Sequence, residues 1–198
     1  MIAGKLFIAE VKTKSPFGFN SKYTWDELFE VALKLGDMIS IHTDPLWGGS
    51  FDLIEKAKKR TKKQILAKGI HASDDLVKNA FDAGADWVLV VGRYPEYKPE
   101  RCFIEPYSIQ DLKKLQSHEN IVWNSRDLFD GSLKKETIKD VREFFGGWLC
   151  QASNIKSEFD IDSFCDAFLV GEHLMSFNEN KYKSTLFGST STITATGK

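Results

Sequence analysis

Apolar residues in this chain fall into short blocks that alternate between two periodicities. Eight blocks, at 6–11, 38–42, 64–67, 87–91, 102–104, 121–123, 148–150 and 167–170, are near-continuous apolar runs. Such runs are what a strand buried on both faces produces. Between them, segments 25–35, 51–60, 74–83, 109–116 and 135–145 carry apolar residues at three- and four-residue spacing, which predicts amphipathic helices. Strand and helix in alternation predict a parallel sheet. Eight runs, with no G-x-G-x-x-G turn after the first, favour a closed barrel over an open doubly wound sheet. The predicted fold class is therefore α/β, a (β/α)8 TIM barrel over residues 1–178, followed by a Ser/Thr-rich tail at 179–198.

The barrel is predicted to be abridged. A (β/α)8 barrel usually takes about 250 residues, with roughly 200 as its lower limit, and this chain has 198. The first run begins at Leu6, so no N-terminal extension is expected ahead of it. The stretch GRYPEYKPER between Val91 and Cys102 is short and holds two prolines, leaving no room for a regular fourth helix. The ending STLFGSTSTITATGK replaces a convincing eighth helix.

Charge and cysteine usage narrow the partners. With 27 Lys+Arg against 28 Asp+Glu, the chain lacks the field of a protein that tracks a nucleic-acid backbone, so no nucleic-acid partner is expected. The longest apolar run, at 87–91, is far short of the ~20 residues of a membrane span. Lys5 and Glu10 interrupt any signal-peptide core, which makes a cytoplasmic location the expectation. Cys102, Cys150 and Cys165 are odd in number and widely spaced, predicting free thiols. His42, His71, His118 and His173 form no i, i+4 pair, and no metal set is predicted.

The ends of the apolar runs carry the candidate chemistry. Glu10 and Lys12 close the first run, Lys68 the third, Glu105 the fifth and Asn124 the sixth. In a (β/α)8 barrel those ends form the C-terminal face, where active sites of this fold lie. Glu10 and Lys12 also share a strand face, because side chains alternate with period two. Two lysines and two glutamates on one mouth would perturb one another's proton affinities into a range useful for acid–base work.

At these residues the sequence resembles the indole-3-glycerol phosphate synthase family. IAEVKTKSP (8–16) is similar to the family's first-strand signature I-A-E-x-K-x-x-S-P, and HTDPLWGGS (42–50) resembles its second loop. ILAKG (65–69) matches a strand ending in a central Lys, although Gly69-Ile70 replace the usual Asp-Phe. FIEPYS places Glu105 at the fifth-strand Glu, with Tyr107 where the family often has Asn or His. WNSRDL (123–128) resembles the sixth-loop N-x-R-x-L, and FLVGEHLM (168–175) the last strand and its phosphate-binding helix. The resemblance runs in order from Ile8 to Met175.

The resemblance implies ring closure of 1-(2-carboxyphenylamino)-1-deoxyribulose 5-phosphate to indole-3-glycerol phosphate, with loss of CO2 and water, and no cofactor. It assigns Lys68 as general acid in the condensation, Glu105 and Lys12 to the dehydration, Glu10 to holding the lysines, and Asn124 to an intermediate's hydroxyl. Arg126 and Ser15 would fix the anthranilate end, with Trp47, Leu89 and Leu128 as an apolar slot. Ser153, Asn154, Gly171 and Glu172 would line the phosphate end through backbone N–H groups, Glu172 turning its side chain to solvent. The seventh-strand E-S-G of the family reads Ala152, Ser153, Asn154, so one carboxylate is lost and Asn must supply the left-handed backbone. Two other readings stay open: a diverged barrel enzyme on a related sugar-phosphate, from Ala152 and Tyr107, and a non-catalytic phosphate-ligand binding homologue, from the reduced wall and the tail. Shortened helices also predict exposed apolar flanks, hence a homo-oligomer or a partner enzyme of the same pathway.

Overall fold

The structure, a computed structural model, describes residues 4–114 and 120–177. Eight strands, β1 (Leu6–Val11), β2 (Met38–His42), β3 (Gln64–Lys68), β4 (Trp87–Val91), β5 (Cys102–Glu105), β6 (Asn120–Asn124), β7 (Trp148–Ala152) and β8 (Ala167–Val170), form a closed parallel barrel. Each strand pairs with the next, and β8 closes on β1 through Leu6↔Ala167 to Ala9↔Val170. Several strands run past the apolar block that predicts them, so that Lys68, Glu105 and Asn124 are strand residues held at fixed depth.

Period-two alternation divides the core into two shells. On β1, Phe7, Ala9 and Val11 face outward into the layer between sheet and helices, while Ile8 packs inside the barrel with Met38, Leu66 and Leu89. Continuing the inner register past Ile8 brings Glu10 and Lys12 toward the axis. At the N-terminal end the barrel is closed by stacked rings: Phe103 lies between Trp87 and Trp148, with centroids 5.0 and 4.9 Å away and planes within 10° and 18°.

Local sequence explains the helices that remain. α1 (Trp25–Leu35) starts at a capping box of Thr24 and Glu27 and buries Leu28, Phe29, Ala32 and Leu35. α2 (Phe51–Lys58) buries Ile54 and Ala57, and α3 (Asp74–Asp82) is capped by Ser73. α4 (Ile109–Lys114) follows β5, and α5 (Ile138–Arg142) follows β6 from a capping box of Thr137 and Asp140. Between β4 and β5 the described chain makes a single 3-10 turn, Pro99–Arg101, in place of a fourth helix.

The shortening is not confined to the segment after β4. Between β7 and β8 there is likewise only a 3-10 turn, Glu158–Asp160. Ser157 and Asp160 close a capping box on that one turn, and Gln151 pins its C-terminal end. Its amide donates to the Asp160 carbonyl at 2.9 Å and accepts from the Asp162 N–H at 2.8 Å. Phe159 and Phe164, which a seventh helix would cover, are left exposed at 91% and 46%. Helical backbone resumes at Leu174 and continues to Phe177, packed on Phe7 and Phe168. The predicted tail at 179–198, the last two residues of the predicted 109–116 helix and His118 lie outside the described residues. Among the described residues no helix is long and apolar enough to cross a membrane.

The stacked floor sets a stability test. Phe103→Ala removes the middle ring of the Trp87–Phe103–Trp148 stack and is expected to cost about 3–5 kcal/mol of unfolding free energy, read as a lower urea midpoint with an unchanged slope.

Candidate active site

Four strands deliver the predicted side chains to one mouth. Glu10 from β1, Lys68 from β3, Glu105 from β5 and Asn124 from β6 are all buried, as is Lys12 just past β1. Glu10 Oε1 lies 2.9 Å from Lys68 Nζ and 2.9 Å from Nε2 of His42, the last residue of β2. Neither N–H lies on a good line to that oxygen, so the contact is one of charge and leaves Oε1 without a well-aligned hydrogen bond. Asn124 is engaged through both ends of its amide. Its Nδ2 donates to Glu105 Oε1 at 2.8 Å, while its Oδ1 accepts from the Arg126 N–H at 3.0 Å and from Ser153 Oγ at 2.6 Å.

Burial and pairing push these groups in different directions. Burial raises the Glu10 carboxyl, but Lys68, His42 and Lys12 outweigh it and hold the group well below the ordinary carboxylate range. Glu105 is the opposite case: burial raises it, and the Lys68 charge and the Asn124 hydrogen bond do not compensate. Burial disfavours the charged form of Lys68, yet Glu10 and Glu105 overcome it and raise its proton affinity. Lys12 is left below the usual lysine value, because burial and the nearby Lys68 charge exceed the help from Glu10 and Glu172. The mouth thus holds an ionised and a proton-prone carboxyl, and a strongly and a weakly protonated amine, the separation of roles that acid–base catalysis requires.

Lys12, Lys68, Glu105 and Asn124 line a cavity open to solvent, with about 440 Å³ of empty space including its open mouth. Its polar wall is Lys12, Lys68, Glu105, Asn124 and Arg126; Trp47, Leu89 and Leu128 join Phe17 and Ile70 on the apolar side. A second pocket of about 310 Å³ adjoins it, sharing Lys12, Arg126 and Ser153 and adding Asn154, Gly171 and Glu172. Ser153 and Asn154 both take left-handed backbone, φ 69° and 57°. Ser15 stands outside both linings; its hydroxyl accepts from the Phe17 N–H at 3.1 Å and shapes the loop that presents Phe17.

Gly171 and Glu172 both meet side chains across the mouth. A Cβ at Gly171 would lie 1.8 Å from Glu10 Oε2, so the Glu10 carboxylate as it stands fills the space a side chain there would enter. Glu172 does not turn to solvent. It bends over the mouth and accepts both guanidinium nitrogens of Arg126, at 2.7 and 2.9 Å, together with Lys12 Nζ at 2.8 Å.

His42 is not singled out by the sequence, although it obeys the rule that finds Glu105 and Asn124, a polar side chain ending an apolar run. The β2–β3 register places it beside Lys68, and its ring stacks on Trp47 at 5.7 Å with planes 3° apart. Burial lowers its proton affinity despite Glu10. His71 serves as a latch: Nδ1 sits 2.6 Å from the Leu89 carbonyl and Nε2 3.0 Å from Thr43 Oγ1, with burial pushing its pKa down to about 4. Among the described residues no three His, Cys, Asp or Glu side chains are grouped to hold a metal.

No family model matches the chain. Curated relatives do. It is 28% identical to an indole-3-glycerol phosphate synthase of Sulfurisphaera tokodaii over 90% of this chain and 81% of that one. It is 30% identical to one of Thermoplasma acidophilum over 85% of this chain and 76% of the relative. A third, from Campylobacter hominis, is 28% identical over 87% and 75%. With the barrel, the strand-end acids and bases, and a likeness that spans most of both chains, this protein belongs to the indole-3-glycerol phosphate synthase family.

Proposed function

We propose that the protein is a carbon–carbon lyase that closes the indole ring of 1-(2-carboxyphenylamino)-1-deoxyribulose 5-phosphate, releasing CO2 and water. The observation that carries the reading is the Glu10–Lys68 contact at 2.9 Å beside the Glu105–Asn124 pair. It keeps one amine charged next to a carboxyl that readily takes a proton.

In the condensation, the Lys68 ammonium polarises the ketone and gives its proton to the oxygen as the ring carbon bearing the carboxylate attacks the ketone carbon. Loss of CO2 returns its bonding pair to the ring. In the dehydration, Lys12 protonates the departing hydroxyl, for which its lowered proton affinity suits it, and Glu105 removes the remaining proton as the second ring double bond forms. Asn124 orients Glu105 and is placed to hold the hydroxyl. The anthranilate ring fits the slot of Trp47, Leu89 and Leu128, and the phosphate the pocket of Ser153, Asn154 and Gly171. The substrate brings its own electrophile and leaving groups, so this chemistry calls for no cofactor.

Turnover is followed by indole fluorescence with the purified protein. Lys68→Ala is expected to lower kcat by roughly 10²–10⁴-fold, the usual worth of a general acid, and absence of turnover by the wild type would overturn the reading. The pH profile follows the two displaced groups. On the acid side, kcat/KM falls as Glu105 takes up a proton, at a pH above the ordinary carboxylate range because its affinity is raised. On the alkaline side it falls as Lys12 loses its proton, below the ordinary lysine range. An acid limb at or below the ordinary carboxylate range, together with an alkaline limb at or above the ordinary lysine range, would contradict both assignments.

A further inference from the structure

Glu172 takes no part in the proton transfers above, yet its carboxylate occupies Lys12 and Arg126, the two cations that line both pockets. The side chains are only partly exposed, 17% for Glu172, 18% for Arg126 and 9% for Lys12. Arg126 is engaged through both nitrogens of its planar fork, the geometry in which guanidinium holds carboxylate best. Lys12 and Arg126 line both pockets, and Glu172 lines the smaller one. A carboxylate or phosphate entering the larger cavity therefore meets cations that already have a partner.

The balance of charges decides what such a site admits. A ligand with one anionic group can only exchange itself for Glu172: one carboxylate leaves the cations, another arrives, and little is gained. A ligand with a second anionic group also reaches the neighbouring pocket at Gly171, Ser153 and Asn154, and that contact is the net gain. We propose that Glu172 is a specificity-determining residue, an internal carboxylate that an incoming acidic group must displace from Arg126 and Lys12, so that the site selects ligands carrying two anionic groups over those carrying one. The proposal rests on the reading that this mouth binds an anionic substrate. Burial would favour a protonated Glu172, but Arg126 and Lys12 hold it ionised, as an effective competitor must be.

The test is calorimetric titration of the whole protein with anthranilate and, separately, inorganic phosphate, each a single-anion probe. Wild type is compared with Glu172→Gln, which keeps the shape and removes the charge. Both probes are expected to bind the Gln variant roughly three- to tenfold more tightly, the worth of one or two partly exposed ion pairs. Glu172→Asp, one methylene shorter, is expected to bind them with intermediate strength, and it carries the test with the same sign if the Gln variant fails to fold. A Glu172 that merely props Arg126 in place predicts the reverse sign. Weaker or unchanged binding in the variants would overturn the proposal while leaving the functional reading intact if the wild type turns over. Absence of wild-type turnover would overturn the functional reading, and the titrations would still decide whether Glu172 competes for the anion site.

Discussion

The carboxylate of Glu10 ties four strands together at the mouth of the barrel. One of its oxygens touches Lys68 on β3 and His42 on β2; the other fills the space where any side chain at 171, just beyond β8, would begin. A single acid on β1 thus leaves no room for a side chain at 171 as it stands and keeps Lys68 charged despite burial. An unpaired ammonium at that depth would shed its proton or destabilise the fold. The two lysines differ in proton affinity because Lys68 touches Glu10 at 2.9 Å, whereas Lys12 contacts Glu172 and feels Glu10 without touching it.

Economy elsewhere has not reached these contacts. The barrel lacks helices after β4 and β7, and the loops that replace them are pinned by local bonds, Gln151 to the turn at 158–160 and Arg101 to the Asp86 carbonyl at 2.7 and 3.0 Å. Helices on the outside of such a barrel bury its flank, whereas the strand ends carry its chemistry. Removing the first exposes side chains such as Phe159 without moving Glu10, Lys68, Glu105 or Asn124, whose depth is set by strand register.

Much of this was legible in the sequence, and the parts that were not share a physical reason. Each strand-end acid, base or amide interrupts an apolar run, so a rule about one strand is enough to find Lys68 or Asn124. The contacts of Glu172 join residues 160 and 46 positions apart, and no local pattern reports where such a side chain turns. His42 ends the 38–42 run, but only the pairing with β3 brings it onto Lys68. The seventh helix is absent although Ile155 and Phe159 stand four apart and Ile161, Phe164 and Cys165 fall at three- and four-residue spacing, so neither periodicity nor chain length says which helix is missing.

We propose that these strand ends form one catalytic mouth around Glu10. A crystal structure with indole-3-glycerol phosphate bound tests it most directly. The claim predicts the indole ring against Trp47 and Leu128, the phosphate at Gly171 and the 153–154 turn, and Lys68 and Glu105 both within hydrogen-bond reach of the ligand. A product bound elsewhere, or bound in this cavity with Lys68 and Glu105 turned away from it, would contradict it.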